Sequence, residues 1–340
     1  MTRLRRIAIG IGFGALVAGI TLPGANAIEI RTGVSIGPKH PGVSHGYVPF
    51  MEAVEKASNG DIKFRFFPGG QLFGHQNALE GVKNRIADMG FLVVQYWPAQ
   101  FPHGKLLGDL GMLGTDPRAM AGATTEFNLL HCSDCLAEYD RNGVVYQGGY
   151  STAVYQILSR MPIRNAEELK GKKIRTPGGG WTRWVQQFGA VPVAFPGDQM
   201  YEGFSQKVLD ATIVSVATLQ AYAMYDVASD VTNIPLGTFH SLTLIGFNRE
   251  FWQKDLKAAQ RKLLMDHSAM AIARSTLRYM EQDDEVVPIA KEKGIRFHQP
   301  DAAFLKAAED FALADVDVTV KDVSTAASRT RAPRPIPILP

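Results

Sequence analysis

The chain has 340 residues, of which 46% are hydrophobic and 20% are charged, a composition that is ordinary for a folded protein. Its length suffices for about two domains, and its formal net charge of +3 comes from three arginines within the first 27 residues. The rest of the chain carries 33 basic and 33 acidic side chains, which argues against nucleic acid or an anionic membrane surface as a partner.

The first 27 residues have the layout of a secretory signal peptide. Three arginines within residues 3–6 precede an apolar run over residues 7–20, and the small residues Ala25 and Ala27 follow. This order predicts cleavage after Ala27 and export of the remaining chain, which in a bacterial cell means the periplasm. An uncleaved membrane anchor is the alternative, but the run is short and rich in glycine for a membrane span.

Strands and helices alternate in the first part of the remaining chain. The hydrophobic pattern predicts strands over 28–34, 62–67 and 87–94, and helices over about 44–58 and about 75–84. The last of these strands is apolar almost throughout, as in a parallel strand that is buried on both faces. We therefore predict an open parallel sheet with helices on both sides and any ligand at the carboxyl ends of its strands.

Both cysteines lie in one C-x-x-C segment, at Cys132 and Cys135. Such a pair can be a redox centre, half of a zinc site or a short disulfide. A structural zinc site needs about four ligands, and the sequence has no second cysteine pair. A thioredoxin-like centre has its first cysteine at a helix N-terminus, whereas this pair falls in the middle of a predicted helix. An oxidising compartment favours a local disulfide between Cys132 and Cys135.

The alternation of strands and helices resumes after the cysteines. Strands are predicted over 143–148, 154–159, 172–176, 191–194, 210–215 and 243–248. Helices are predicted over 165–169, about 181–188 and about 249–291. The pattern indicates two α/β domains joined by more than one hinge segment. Residues 331–337, rich in arginine and proline, predict an extended, disordered tail.

The sequence contains none of the common catalytic motifs, among them the nucleophile elbow, the P-loop and the H-E-x-x-H zinc motif. Residues 178–180 are three glycines between a strand and a helix and could hold a phosphate, but they lack the spacing of a dinucleotide fingerprint. Four histidines lie near loops of the first part, without a carboxylate cluster, which favours solvated or capping roles: His40, His45, His75 and His103. No metal, no cofactor and no enzymatic activity are expected.

Arg175 is the most informative position. It ends a predicted strand, precedes a Pro-Gly turn, and is followed by Trp181 and Trp184. A guanidinium at the carboxyl end of a strand can bind a ligand carboxylate with two parallel hydrogen bonds. A surface arginine that caps the preceding turn is the alternative, and the spacing alone does not decide between the two.

Residues 169–178, LKGKKIRTPG, resemble the LKGxKIRxPG signature of the extracytoplasmic solute receptors of TRAP transporters, the tripartite ATP-independent periplasmic type. Further matches to this family occur in the expected order at residues 40–41, 67–72, 188–193, 200–201, 208–210 and 248–252. The resemblance therefore covers nearly the whole chain after residue 27.

The resemblance implies an α/β periplasmic binding protein fold of two lobes, each an open β-sheet flanked by helices, with a long helix spanning both. Lobe I would comprise residues 28–150 plus about 241–275, and lobe II residues 151–240 plus about 276–328, with a disordered tail over 329–340. Such a receptor, expected to be a monomer, closes on a small carboxylate and delivers it to a small and a large integral membrane subunit. A receptor of an ATP-driven importer and an exported enzyme that acts on an organic acid are the alternatives.

The resemblance also implies the ligand-binding residues. Arg175 would pair with the ligand carboxylate, and the other lining positions would be His40, Gln71, Gln95, Tyr96, Trp181 and Ser215. Tyr155 lies in the strand where receptors for dicarboxylates often carry another arginine. A single cationic anchor among several aromatic residues indicates a monocarboxylate with an apolar body, either aromatic or a keto acid. Trp181 would stack on the ligand, whereas Trp184 fits helix core equally well.

Overall fold

The fold is that of a computed structural model, which describes residues 27–329 and their side chains up to residue 325. Eleven strands run over β1 Ile28–Gly33, β2 Ile62–Phe67, β3 Met89–Val93, β4 Val144–Tyr146, β5 Gln156–Ser159, β6 Lys173–Arg175, β7 Val191–Val193, β8 Ala211–Val214, β9 Asp230–Thr232, β10 Leu242–Asn248 and β11 Arg296–His298. All but residue 27 of the predicted signal peptide, and all but residue 329 of the predicted tail, lie outside the described residues.

The helices within residues 27–329 are α1 Val48–Ala57, α2 Ala78–Lys83, α3 Leu106–Asp109, α4 Pro117–Glu126, α5 Ser133–Arg141, α6 Ala166–Leu169, α7 Gly179–Gln187, α8 Met200–Ser205, α9 Thr218–Ala221, α10 Ala258–Glu292 and α11 Ala302–Arg329. Short 3₁₀ or π turns cover Gly42–Tyr47, His75–Asn77, Val94–Tyr96, Gly111–Leu113, Phe127–His131, Gly197–Gln199, Met224–Asp226 and Phe251–Asp255. No helix in this part of the chain is both long and apolar enough to cross a membrane.

The strands form two sheets, which build two lobes. The first sheet has the order β2-β1-β3-β10-β4, and the second has the order β11-β9-β5-β8-β6-β7. The predicted parallel arrangement is correct for β1, β2 and β3, but the sheet is mixed, because β10 runs antiparallel to both of its neighbours. The second sheet is also mixed, since β5 runs antiparallel to β8 and β9. We call the part on the first sheet lobe I and the other lobe II.

The chain passes between the two sheets three times. It crosses after β4, returns to the first sheet with β10, and reaches the second sheet again with β11. The long helix α10 makes the last crossing and contacts α1 and α4 of lobe I and α9 of lobe II. Several segments therefore connect the lobes, while the lobe limits given above stay a prediction.

The predicted disulfide joins Cys132 and Cys135, with an S–S distance of 1.99 Å. Its predicted position in the middle of a helix is wrong. α4 ends at Glu126, a π turn follows, and Cys132 is the N-cap of α5, its sulfur accepting a hydrogen bond from the backbone N–H of Cys135 at 3.1 Å. Cys132 has φ −129° and ψ 79°, which are not helical values, so the chain breaks where the sequence pattern runs on.

Candidate functional site

A cavity lies between the lobes at the edge where the parallel strands end. Val93, Arg175 and Val214 line it and are the last residues of β3, β6 and β8, respectively. Leu242 also lines it and is the first residue of the antiparallel strand β10. The cavity is thus where an α/β fold places a ligand.

Arg175 contributes a buried positive charge to this cavity, with only 6% of the residue exposed. Its Nε donates to the carbonyl oxygen of Phe195 at 3.2 Å, and its Nη2 donates to the hydroxyl of Tyr96 at 3.5 Å. Among the described side chains no carboxylate lies within 4.0 Å of the guanidinium. Because a buried charge without a counter-charge is costly, the arrangement favours an anionic ligand.

Tyr96 presents a hydroxyl proton to the cavity. The hydroxyl accepts a hydrogen bond from the backbone N–H of Gly197 at 2.9 Å and the longer one from Arg175. Both partners can only donate, so the hydroxyl proton is left for a third partner. Tyr96 follows β3 in lobe I, whereas Gly197 and Arg175 belong to lobe II, so these bonds also cross the cleft.

His40 fixes the hydroxyl of Tyr279 in a similar way. The backbone N–H of Gly42 donates to Nδ1 of His40 at 3.1 Å, which makes Nδ1 an acceptor and assigns the imidazole proton to Nε2. Burial, together with the charge of His75, lowers the pKa of His40 to about 3, so the ring is neutral near neutral pH. Nε2 then donates to the Tyr279 hydroxyl at 3.0 Å, and the Tyr279 proton is left to point elsewhere.

Aromatic rings form most of the remaining wall. Tyr155 stacks on Phe239 with 6.1 Å between ring centroids, and Tyr150 stacks on Tyr279 with 5.8 Å. Burial raises the pKa of Tyr155 to about 12 and raises that of Tyr222 as well, so these phenols are neutral. The cavity therefore combines one cation and several hydroxyl donors with flat apolar surfaces.

His75 and Asp198 meet across the cleft beside Arg175. The backbone N–H of His75 donates to Oδ2 of Asp198 at 2.9 Å, and Nδ1 of the ring lies 3.2 Å from the same oxygen. Burial raises the pKa of Asp198, but hydrogen bonds and charge from His75 outweigh it and hold the pKa below its ordinary value. The carboxylate is thus ionised at neutral pH.

The structure brings four of the eight sequence-predicted ligand residues together. His40, Tyr96, Tyr155 and Arg175 line the cavity. The other four are not among the lining residues: Gln71, Gln95, Trp181 and Ser215.

These four residues have other surroundings. Gln71 is exposed, and the Gln95 side-chain amide bonds the hydroxyl of Ser241. Trp181 is fully buried behind Tyr155, and its indole N–H donates to the carbonyl oxygen of Leu236 at 2.8 Å. Ser215 is buried directly after β8, and its hydroxyl has no partner among the described residues. Trp184 is fully buried and stacks on Phe304 of α11, which matches the helix-core alternative.

Several lining residues were missed by sequence reasoning. The predicted solvated or capping role of His75 is wrong, since His75 is buried and lines the cavity, and its partner Asp198 carries no signal in the sequence beyond a Pro-Gly turn. Tyr150, Tyr222 and Tyr279 line the cavity from three distant parts of the chain, and no local motif marks them. Within residues 27–329, no group of three or more His, Cys, Asp or Glu side chains could hold a metal ion.

Comparison with known proteins gives a family match over most of the chain. The family described as bacterial extracellular solute-binding protein, family 7, matches residues 35–320. The protein named "Outer membrane transporter protein TsaT" of Comamonas testosteroni is 30% identical over 296 residues, which cover 85% of each chain.

Two solved structures share the fold. A TRAP solute-binding protein from Rhodoferax ferrireducens T118, in complex with copurified benzoate, has a TM-score of 0.76 at 17% identity and covers 88% of this chain and 97% of its own. A marine metagenome TRAP solute-binding protein specific for aromatic acid ligands, in complex with 3-hydroxybenzoate, has a TM-score of 0.74 at 20% identity and covers 89% and 98%. The chain therefore belongs to family 7 of the bacterial extracellular solute-binding proteins, the kind of receptor that its sequence resembles.

Proposed function

We propose that the protein is the periplasmic receptor of a TRAP transporter, that it binds an aromatic monocarboxylate, and that it delivers this ligand to a small and a large integral membrane subunit. The observation that carries the proposal is the buried guanidinium of Arg175, which has no carboxylate partner among the described residues. A ligand carboxylate would supply the missing charge through two parallel hydrogen bonds. The benzoate and 3-hydroxybenzoate bound by the two solved proteins are acids of this class.

The surroundings of Arg175 support carriage rather than reaction. The site is shared between the lobes, so a ligand that contacts both stabilises the closed arrangement. His75 and Asp198 form a pair of the kind that general bases use, but no described hydroxyl or thiol is hydrogen-bonded to the ring nitrogens of His75. A pair without a nucleophile favours a binding role, as does the family to which the chain belongs.

Arg175→Ala tests the proposal. It should weaken benzoate binding by about 30-fold or more, because truncating one partner of a buried charge pair costs about 2–5 kcal/mol. Arg175→Lys keeps the charge without the planar fork and should fall between wild type and alanine. Isothermal titration calorimetry measures the affinities, and a loss below about tenfold for the alanine variant would contradict the assignment. Dicarboxylates that stabilise the protein against heat while monocarboxylates do not would contradict the ligand class.

A further inference from the structure

The imidazole of His75 is held in one orientation at the border of the cavity. Nδ1 faces Asp198 at 3.2 Å, and the ring packs edge-on against Phe91 and Tyr96, with centroids 5.7 and 6.0 Å away. Neither ring nitrogen makes a hydrogen bond with a described residue, although only 5% of the residue is exposed, and Nε2 is on the side of the ring opposite Nδ1 and Asp198. An oriented nitrogen beside a cavity is placed to bind a ligand atom.

Three polar atoms from different segments converge beside Gly197. A Cβ atom built on Gly197 would lie 3.5 Å from the Tyr96 hydroxyl oxygen, 3.6 Å from Nη2 of Arg175 and 3.8 Å from Nε2 of His75. Each of these atoms can donate a hydrogen bond, and two of the three side chains can be cationic. The point they surround suits a carboxylate, which has two oxygens and accepts about four hydrogen bonds.

We propose that His75 is a second carboxylate-binding residue, whose Nε2–H donates to the ligand beside Arg175 and which takes up a proton when the ligand binds. The inference rests on the proposed function and adds a residue to its site. Asp198 acts as a positioning residue, because its Oδ2 accepts from the backbone N–H of His75, lies 3.2 Å from Nδ1 of the ring and balances a second positive charge next to Arg175.

Ionisable groups from both lobes surround the ring of His75. From lobe II, Arg175 keeps its charge, Asp198 stays ionised, and Tyr222 is neutral because burial raises its pKa. From lobe I, His40 stays neutral and Tyr96 contributes its hydroxyl. An anion bound at Nε2 favours the protonated imidazole, so affinity for a carboxylate should fall as the pH rises.

The decisive experiment titrates the full-length mature protein with benzoate between about pH 5.5 and about pH 8.5, in paired buffers of different ionisation heat. Wild type should bind more weakly at higher pH and take up protons on binding. His75→Gln, which keeps an amide donor, should lose about tenfold in affinity and lose both the pH dependence and the proton uptake. Asp198→Asn should keep the proton uptake but move the pH profile to lower pH.

Two substitutions of glycine test the location of the carboxylate. Gly197 does not have a positive φ, and the nearest atom to a new methyl would be 3.5 Å away, so Gly197→Ala should leave the fold intact. The methyl would occupy the point of convergence and should lower benzoate affinity by about tenfold or more. Gly122→Ala, at an exposed helical glycine with open space around it, is the matched control and should change nothing.

The outcomes separate this inference from the proposed function. Benzoate binding by wild type without proton uptake would overturn the role of His75 alone, as would a His75→Gln variant that keeps the wild-type pH profile. Unchanged benzoate affinity in Gly197→Ala would overturn the proposed location of the ligand carboxylate beside Gly197. An unchanged pH profile in Asp198→Asn would overturn its positioning role. Failure of wild type to bind benzoate would overturn both proposals.

Discussion

Two tyrosine hydroxyls give the cavity a preference for ligands that accept hydrogen bonds. Tyr96 accepts from the backbone N–H of Gly197, and Tyr279 accepts from Nε2 of His40, which is the protonated ring nitrogen. A phenol has one proton, so each hydroxyl is left as a donor once its acceptor position is used. A cavity that offers mainly donors favours a ligand with a second acceptor besides its carboxylate, such as a keto oxygen.

Tyr279→Phe should reveal this preference. The ring and its stacking on Tyr150 are kept, while one donor is removed. Affinity for phenylglyoxylate, which has a keto oxygen, should fall by about two- to tenfold, the value of one hydrogen bond, while affinity for phenylacetate should hardly change. Calorimetric titration with both acids measures the difference. In Tyr279→Phe the Nε2–H of His40 also loses its partner, and the phenylacetate titration controls for this effect. Equal losses of affinity for the two acids would contradict the preference for a keto oxygen.

Elements were predicted well where a local pattern determines them and poorly where packing does. β3 follows from the unbroken apolar run Met89–Val93. The pattern predicts the long helix from about residue 249, but the π turn Phe251–Asp255 is followed by extended backbone at Leu256 and Lys257, and α10 begins only at Ala258. β9 and β11 have three residues each and exist through pairing with distant strands, β11 with β9 and β9 also with β5, which no local pattern shows.

The same distinction between local pattern and packing explains which residues of the site could be predicted from the sequence. Arg175 was predictable because its segment carries both a strand end and a family signature. Tyr279 was not, because it sits in the middle of α10 and reaches the cavity only through the way this helix packs between the lobes. His75 and Asp198 acquire a role only as a pair, and they are 123 positions apart. Long-range pairing of this kind leaves no trace in one sequence.

Asp283 of α10 should make the stability of this helix junction depend on pH. Burial raises the pKa of Asp283 to about 7, although its carboxyl accepts a hydrogen bond from the backbone N–H of Ala217 at 2.7 Å, just before α9. In the unfolded chain this carboxyl ionises at about pH 4, so the folded protein binds the proton more tightly. Stability is therefore lost as the pH rises from about 4 to about 7.

Asp283→Asn removes the ionisation and keeps an oxygen for the Ala217 N–H. Its thermal midpoint should exceed that of wild type at about pH 8 by at least about 2 °C, the shift that 1 kcal/mol gives in a chain of this size. The difference should shrink at about pH 5, where less of the carboxyl is ionised. Asp317→Asn, an exposed acid on α11, is the control, and a pH-independent difference for Asp283→Asn would contradict the assignment.

Polar contacts across the cleft hold the whole molecule in a closed arrangement. Among them, three backbone N–H groups donate to side chains of the other lobe: His75 to Asp198, Gly197 to the Tyr96 hydroxyl, and Gly179 to Asp109. Asp109 lies in α3 of lobe I and is 5% exposed, and its bond to Gly179 at the start of α7 involves no residue that lines the cavity. Closure therefore has a component that does not depend on the ligand.

Asp109→Ala should separate closure from ligand recognition. Without this bond the open form gains population at the expense of the closed form, which binds the ligand. The apparent affinity for every ligand therefore falls by the factor by which the closed fraction falls, and we expect this factor to be about three to twenty. Benzoate, phenylacetate and phenylglyoxylate should lose affinity equally, in contrast to the selective loss in Tyr279→Phe. Small-angle scattering should show a larger radius of gyration for the unliganded variant than for wild type, and saturating benzoate should remove the difference.

Asp266→Ala, which breaks an exposed ion pair with Lys262, is the surface control for Asp109→Ala. Losses that differ among the three acids would show that Asp109 acts on recognition instead of closure.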